Sequence, residues 1–150
     1  MAHTHTKLLY HVIYSTAHRR AVLTPESIGR LAGFTGGVVH ERGGTLLILN
    51  GASDHVHLLV GLTHKLTLSD QVRDIKALTS RWLKSTTDGM RDFAWQEGYS
   101  VFSVSSSVQA AVTAYIARQE QHHQGRSFEQ ELVELLTKAG VDYDPRFVCD

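Results

Sequence analysis

Between Asp54 and Val60 the chain reads Asp-His-Val-His-Leu-Leu-Val, an apolar run interrupted by two imidazoles one residue apart. A strand repeats every two residues, so an extended run puts His55 and His57 on one face and Val56, Leu58 and Val60 on the other. The apolar side belongs against a core. The imidazole side is half of a metal site or a pair of hydrogen-bonded surface histidines, and the run alone leaves both readings open.

The flanking residues place this strand in a sheet. Asn50 to Ser53 read as a turn that reverses the chain, and Thr45 to Leu49 before it form an apolar strand, so the two make a hairpin. Leu8 to Thr16, rich in β-branched and aromatic residues, and Trp95 to Ser105, with Tyr99, Val101 or Phe102, and Val104 alternating, read as two further strands. Thr24 with Pro25 opens a helix carrying Ile28, Leu31 and Ala32, although Gly36 and Gly37 weaken its middle and Gly43 and Gly44 end it. Thr67 with Asp70 opens a second helix, with Leu68, Val72, Ile75, Thr79 and Trp82 at helical spacing. Ser107 caps a third helix running to about His123, with Gly125 placed to end it. Ser127 with Gln130 opens a fourth, whose Phe128, Leu132, Leu135 and Leu136 make an apolar face up to Gly140.

Strand, helix, strand, strand, helix, strand is the split β-α-β order of ferredoxin-like and RRM-like folds. The expectation is an α+β chain: an antiparallel sheet with helices on one face and additional C-terminal helices, residues 1–150 forming a single domain. The face carrying His55 and His57 is expected to be the open one. A ferredoxin-like RNA-binding module is disfavoured, since the exposed strands lack the paired aromatics that stack bases.

Composition narrows the partners. The formal net charge is zero, so any nucleic-acid contact must be a local patch. Arg73, Lys76, Ser80 and Lys84 form a stripe on the second helix with Arg81 beside it, and Arg19 and Arg20 follow the first strand. Each is a candidate phosphate contact or part of a solvated face. Of ten histidines, His3, His5, His18, His40 and His64 lie in polar or turn-like surroundings and read as exposed side chains. The single cysteine, Cys149, forms no internal disulfide, no apolar run reaches a membrane span, and the N-terminus lacks a signal-peptide core, so the expected location is cytoplasmic, with no membrane partner.

Tyr115 and Gln119 are four residues apart and project from one face of the third helix. A tyrosine is a poor nucleophile at neutral pH unless a metal polarises its target or a base takes its proton. Gln119 offers a neutral carbonyl oxygen as a third ligand beside two imidazoles for Mg²⁺ or Mn²⁺. Beside Val108, Ala111 and Val112, Tyr115 could equally be a core residue.

Several blocks in order, YHVIYST from Tyr10, NGASDHVHLLV from Asn50, IKALTSRWLK from Ile75, WQEGYSVFSVS from Trp95, YIARQEQHH from Tyr115 and SFEQEL from Ser127, resemble the single-tyrosine HUH transposases of the insertion-sequence 200/605 type and their REP-associated relatives. The resemblance covers nearly the whole chain. It implies a transposase that cleaves and rejoins single-stranded DNA through a 5′-phosphotyrosine. Tyr115 matches the nucleophile, and His55, His57 and Gln119 match the ligands of a divalent metal. It also implies DNA hairpins as substrates and a homodimer whose tyrosine helix acts in trans. The alternative is a domesticated or inactive relative that binds DNA hairpins without cutting them. His122 and His123 close the YIARQEQHH block, and a dipole argument at a helix end is enough to explain them.

Overall fold

The fold comes from a computed structural model, which describes residues 2–123 and 125–149, with the backbone alone at Glu120. Four strands, β1 (Leu8–Ser15), β2 (Thr45–Ala52), β3 (His55–Leu62) and β4 (Ser100–Val104), form one sheet in the order β2-β3-β1-β4, and every neighbouring pair is antiparallel. This is the expected α+β arrangement.

Helices α1 (Pro25–Glu41) and α2 (Leu68–Thr86) connect β1 to β2 and β3 to β4 and cover one face of the sheet. Their caps follow from short-range chemistry. The Thr24 side chain accepts from Ser27 N while Ser27 Oγ accepts from Thr24 N, and Thr67 accepts from Asp70 N. Gly36 and Gly37 do not interrupt α1. The core on this face joins Val12 and Tyr14 of β1 and Val56, Leu58 and Val60 of β3 to Ile28, Leu31, Val72, Ile75 and Leu83. Burying one such aliphatic side chain is worth about 1.5–3 kcal/mol. These contacts fix which way β3 faces, because a one-residue slip would turn its imidazoles into this apolar layer.

The imidazole face is covered, contrary to the expectation of an open one. Helix α3 (Gln109–Ala117), the short α4 (Gln119–His122) and α5 (Phe128–Ala139) fold back over it. Ile116 packs on Leu9 and Leu59, while Phe128, Leu132 and Leu136 pack around Ile13. The apolar stripe of α5 needs an apolar partner, and Ile13 with Phe102 supplies one on the face that α1 and α2 leave uncovered. Ser127 and Gln130 form the expected capping box, and Gly140 ends α5 with φ at 69°.

Three boundaries differ from those read off the sequence. The helix expected from a Ser107 cap to about His123 starts at Gln109 without a side-chain cap, stops at Ala117 and resumes as α4, because Ser107 sits inside the turn Ser106–Val108. Strand β2 runs on through Ala52, so the turn shrinks to Ser53 and Asp54. A Cβ on Gly51 would lie 2.1 Å from the His55 carbonyl oxygen, so this crossing next to the imidazoles demands a glycine. Trp95 makes an isolated bridge to Thr16, and the strand proper begins at Ser100. No helix among the described residues is long and apolar enough to cross a membrane.

Candidate active site

His55 and His57 enter the site from the first turns of β3, and both are fully buried. Tyr115 and Gln119 reach it from α3 and α4 of the same chain. The helical path breaks between them at Arg118, with φ at −106° and ψ at 28°. Asn50 of β2 secures that break by donating from Nδ2 to the carbonyls of Ile116 (3.1 Å) and Ala117 (3.2 Å). Gln119 is also fully buried, and its Oε1 lies 3.1 Å from His55 Nε2. The four residues singled out in the sequence therefore converge within one chain.

At the centre stands a residue that sequence reasoning missed. Glu131 of α5 is fully buried. Its Oε1 lies 2.9 Å from His57 Nε2, 2.9 Å from His123 Nε2 and 3.4 Å from His55 Nε2. Its Oε2 accepts from the Tyr115 hydroxyl and, at 3.2 Å, from Gln119 Nε2, with Arg126 Nη2 at 3.7 Å. A signal was present. Glu131 lies three residues after Phe128 and four before Leu135, which puts a carboxylate on the apolar face of an amphipathic helix. A carboxylate there must find partners or pay a large desolvation penalty.

Two further histidines belong to the site. His11 Nε2 lies 2.7 Å from His57 Nδ1, as Asp54 Oδ1 lies 2.8 Å from His55 Nδ1, so each histidine of the pair is oriented through its second nitrogen. His123 does more than meet a helix dipole: its Nδ1 lies 2.8 Å from the Arg126 carbonyl and its Nε2 2.9 Å from Glu131 Oε1. His122 stacks on the Tyr115 ring, with centroids 4.3 Å apart.

The electrostatics follow from burial and from Glu131. Burial drives His57 down to about 4, against the pull of Glu131, and burial together with the neighbouring His57 charge drives His11 down to about 3. Burial would also depress His55, but its hydrogen bonds to Asp54 and Glu131 and their charges hold it above the ordinary histidine value. For Glu131 burial favours the neutral acid, yet the hydrogen bonds from His123, His55 and His57 outweigh it and keep the carboxylate ionised. Tyr115 is pushed up by burial and by the adjacent Glu131, with Arg126 opposing. Arg126 also donates to the Tyr115 oxygen at 3.4 Å, placing a guanidinium beside that hydroxyl.

The donor set suits a divalent cation. Ligand atoms of His55, His57 and Glu131 lie within 4.8 Å of one another, and the Gln119 carbonyl oxygen adjoins them. At His55 Nε2 the neighbours are two oxygen acceptors, Gln119 Oε1 and Glu131 Oε1, an environment that calls for positive charge. Imidazole nitrogens combined with oxygen donors fit Mn²⁺ or Mg²⁺ better than a thiolate-seeking metal.

The basic residues fare differently. Arg73, Lys76, Arg81 and Lys84 stand on α2, across the sheet from the imidazoles. Arg73 is held by Asp70 and Asp74, whereas Arg81 and Lys84 are exposed. Lys76 is turned inward: its Nζ donates to the carbonyls of Gln96 (2.7 Å), Glu97 (3.1 Å) and Gly98 (2.7 Å), and burial lowers it to about 8. Arg20 pairs with Asp92, and Arg19 reaches Glu129 at 3.4 Å, next to the site-bearing face of α5. His18 and Arg19 hold φ values of 57° and 53°, an uncommon conformation for residues with a Cβ. His3, His5, His18, His40 and His64 are exposed, as expected.

Residues 4–119 match the pattern of the family described as transposase IS200 like. The chain belongs to that family. Across 118 residues it is 25% identical to the ISDra2 transposase TnpA of Deinococcus radiodurans, which spans 75% of this chain and 84% of that protein. A solved structure from Deinococcus radiodurans R1, assigned as a transposase, superposes with a TM-score of 0.63 at 28% identity, covering 79% of this chain and 95% of the other. The structure of a REP-associated tyrosine transposase bound to a REP hairpin gives a TM-score of 0.60, covering 97% of this chain and 92% of the other. At 15% identity that likeness speaks for the fold. As a member of the IS200-like family the chain is a DNA transposase, and its family-matched segment ends at Gln119.

Proposed function

We propose that this transposase cleaves and rejoins single-stranded DNA at hairpins, with Tyr115 as the nucleophile and a divalent metal held by His55, His57 and Gln119. One observation carries the reading: the Tyr115 hydroxyl shares a buried cluster with both imidazoles and with the Gln119 carbonyl oxygen. The hairpin bound to the REP-associated relative supports the substrate class.

In the forward step the Tyr115 oxygen bonds to phosphorus as its proton passes along the hydrogen bond to Glu131. The bond from phosphorus to the 3′ oxygen breaks with its electron pair on that oxygen, which takes up the proton that Glu131 releases again, leaving a 5′-phosphotyrosine, a 3′ hydroxyl and an ionised Glu131. A bound divalent ion supplies charge withdrawal from the phosphate and stabilises the departing oxygen. Arg126 lies where it can meet a phosphate oxygen next to the attacking hydroxyl. His11 and Asp54 keep the two imidazoles aimed. The phosphotyrosine conserves the phosphodiester linkage, so attack by a 3′ hydroxyl rejoins DNA without a nucleotide cofactor. Arg19, Arg20, Arg81 and Lys84 are the proposed contacts to the DNA backbone, Arg19 and Arg20 nearest the site and the other two across the sheet.

The test incubates protein with labelled single-stranded hairpin DNA and Mg²⁺ or Mn²⁺. The expected result is a protein–DNA adduct that survives denaturation and is absent from Tyr115→Phe. Hairpin binding without any adduct would instead make the chain a binding protein.

A further inference from the structure

We propose that Glu131 is itself a ligand of the divalent ion: one carboxylate oxygen joins His55 and His57 on the cation while the other holds the Tyr115 hydroxyl, tying nucleophile to metal. The inference deepens the function proposed above and rests on it. It concerns a residue beyond the segment that matches the family, which ends at Gln119.

The geometry separates the two carboxylate oxygens. Among the described residues Oε1 faces imidazole nitrogens, those of His57, His123 and His55. Oε2 faces the Tyr115 hydroxyl, the Gln119 amide and Arg126. Protein ligands sit about 2.0–2.6 Å from such an ion, so atoms on opposite sides of it are about 4–5 Å apart. The His55, His57 and Glu131 donor atoms all lie within 4.8 Å of one another, with His57 and His55 at 2.9 and 3.4 Å from Oε1, close enough to share one ion.

Position points the same way. Phe128 stacks on His55 with centroids 4.4 Å apart, and Leu132 and Leu136 bury the following turns of α5 against Ile13. The Ser127 cap and these apolar contacts bring Glu131 to the imidazoles from an element that otherwise serves the core. A carboxylate of this burial needs positive charge close by. Charge balance is also better served. Two imidazoles and an amide leave a divalent ion at +2, whereas adding Glu131 leaves +1, which one DNA phosphodiester neutralises. An anionic oxygen in place of a neutral donor favours the harder ions, Mn²⁺ and Mg²⁺.

The experiment measures Mn²⁺ binding to metal-stripped protein by calorimetry, without DNA, for the wild type, Glu131→Gln, Glu131→Asp, Tyr115→Phe and the double variant His55→Ala/His57→Ala. Circular dichroism checks that each is folded. The expected result is one Mn²⁺ site in the wild type and in Tyr115→Phe, at least about tenfold weaker binding in Glu131→Gln, and none in the double variant. Glu131→Asp keeps the charge and the helix, so it retains part of the affinity and serves if the glutamine variant fails to fold. Wild-type affinity in a folded Glu131→Gln protein, with loss in the double variant, overturns the inference while the two-histidine metal reading stands. Binding unchanged in all variants, the double one included, overturns both.

Discussion

His11 and His57 share a hydrogen bond in a pocket that leaves both almost without solvent contact, 6% and 0% exposed respectively. Each gains a proton far less readily in the folded chain than in the unfolded one, at about 3 and about 4 against an ordinary 6.5. Between pH 6.5 and 4.5 the unfolded state therefore binds more protons, and stability falls as the pH falls. The slope is at most about 1.4 kcal/mol per pH unit for each histidine. His55, with its raised value, binds more protons folded than unfolded near pH 6.5 and so opposes the decline there, an effect that fades about a unit lower, where it is protonated in both states. Glu131 adds to the decline only as the pH nears 4.5, where its unfolded carboxyl is half protonated while the folded one stays ionised. Thermal unfolding of the metal-stripped protein from pH 6 to 5, where the contributions of His55 and Glu131 are small and opposite, should show this decline, and His11→Asn should roughly halve its slope. An undiminished slope in His11→Asn would mean that the proton uptake lies elsewhere in the chain.

At the scale of elements, Lys76 shows how a stripe read from helical spacing can serve the fold instead of a ligand. Its ammonium closes the segment from Gln96 to Gly98 onto α2 through three carbonyls and lies 5.4 Å from the centroid of the Tyr14 ring. Lys76→Met should cost about 1–3 kcal/mol in chemical denaturation, the range for leaving buried acceptors without their charged donor. Hairpin affinity and its dependence on salt should stay unchanged. Weaker, less salt-sensitive binding at unaltered stability would make Lys76 the phosphate contact that its place in the stripe suggests. The same distinction explains what the sequence made legible. The caps at Thr24, Thr67 and Ser127 are contacts between residues three apart, and the pairing of His55 with His57 is a matter of strand period, so both are visible locally. The inward turn of Lys76, the partnership of His11 with His57 and the arrival of Glu131 depend on residues that meet only after the sheet forms. Glu131 left a trace on the apolar face of α5, but nothing local says that the face lands on the imidazoles. Trp95, aromatic and next to a strand, reads as part of it. One bridge to Thr16 is all the pairing it makes.

For the whole molecule, the question is whether the nucleophile serves its own histidines or those of a second copy. Within one chain, Ile116 is fully buried against Leu9 and Leu59, and Asn50 holds the carbonyls that end α3. An exchanged homodimer, the arrangement implied by the resemblance, would make these same contacts between copies, so they cancel when the two forms are compared. What differs is the connection between β4 and α3. In the single chain it is a tight turn at Ser106–Val108, with Val108 N donating to the Ser105 carbonyl at 3.0 Å and Ser107 N to Ser105 Oγ at 3.4 Å. Exchange must open that turn and also order a second chain, which costs association entropy with no new contact at the site. We therefore expect a tyrosine acting in cis, in place of the trans arrangement that the resemblance implies. Mixing His57→Ala with Tyr115→Phe, after unfolding and refolding the two together, decides it by the hairpin-adduct assay. Each variant alone should form no adduct, and under a cis arrangement the mixture should form none. Under exchange half the dimers would be mixed, and each would hold one intact composite site, restoring about a quarter of the wild-type adduct. Recovery at that level would reverse the assignment and make the opening of the Ser106–Val108 turn a step in assembling the active transposase.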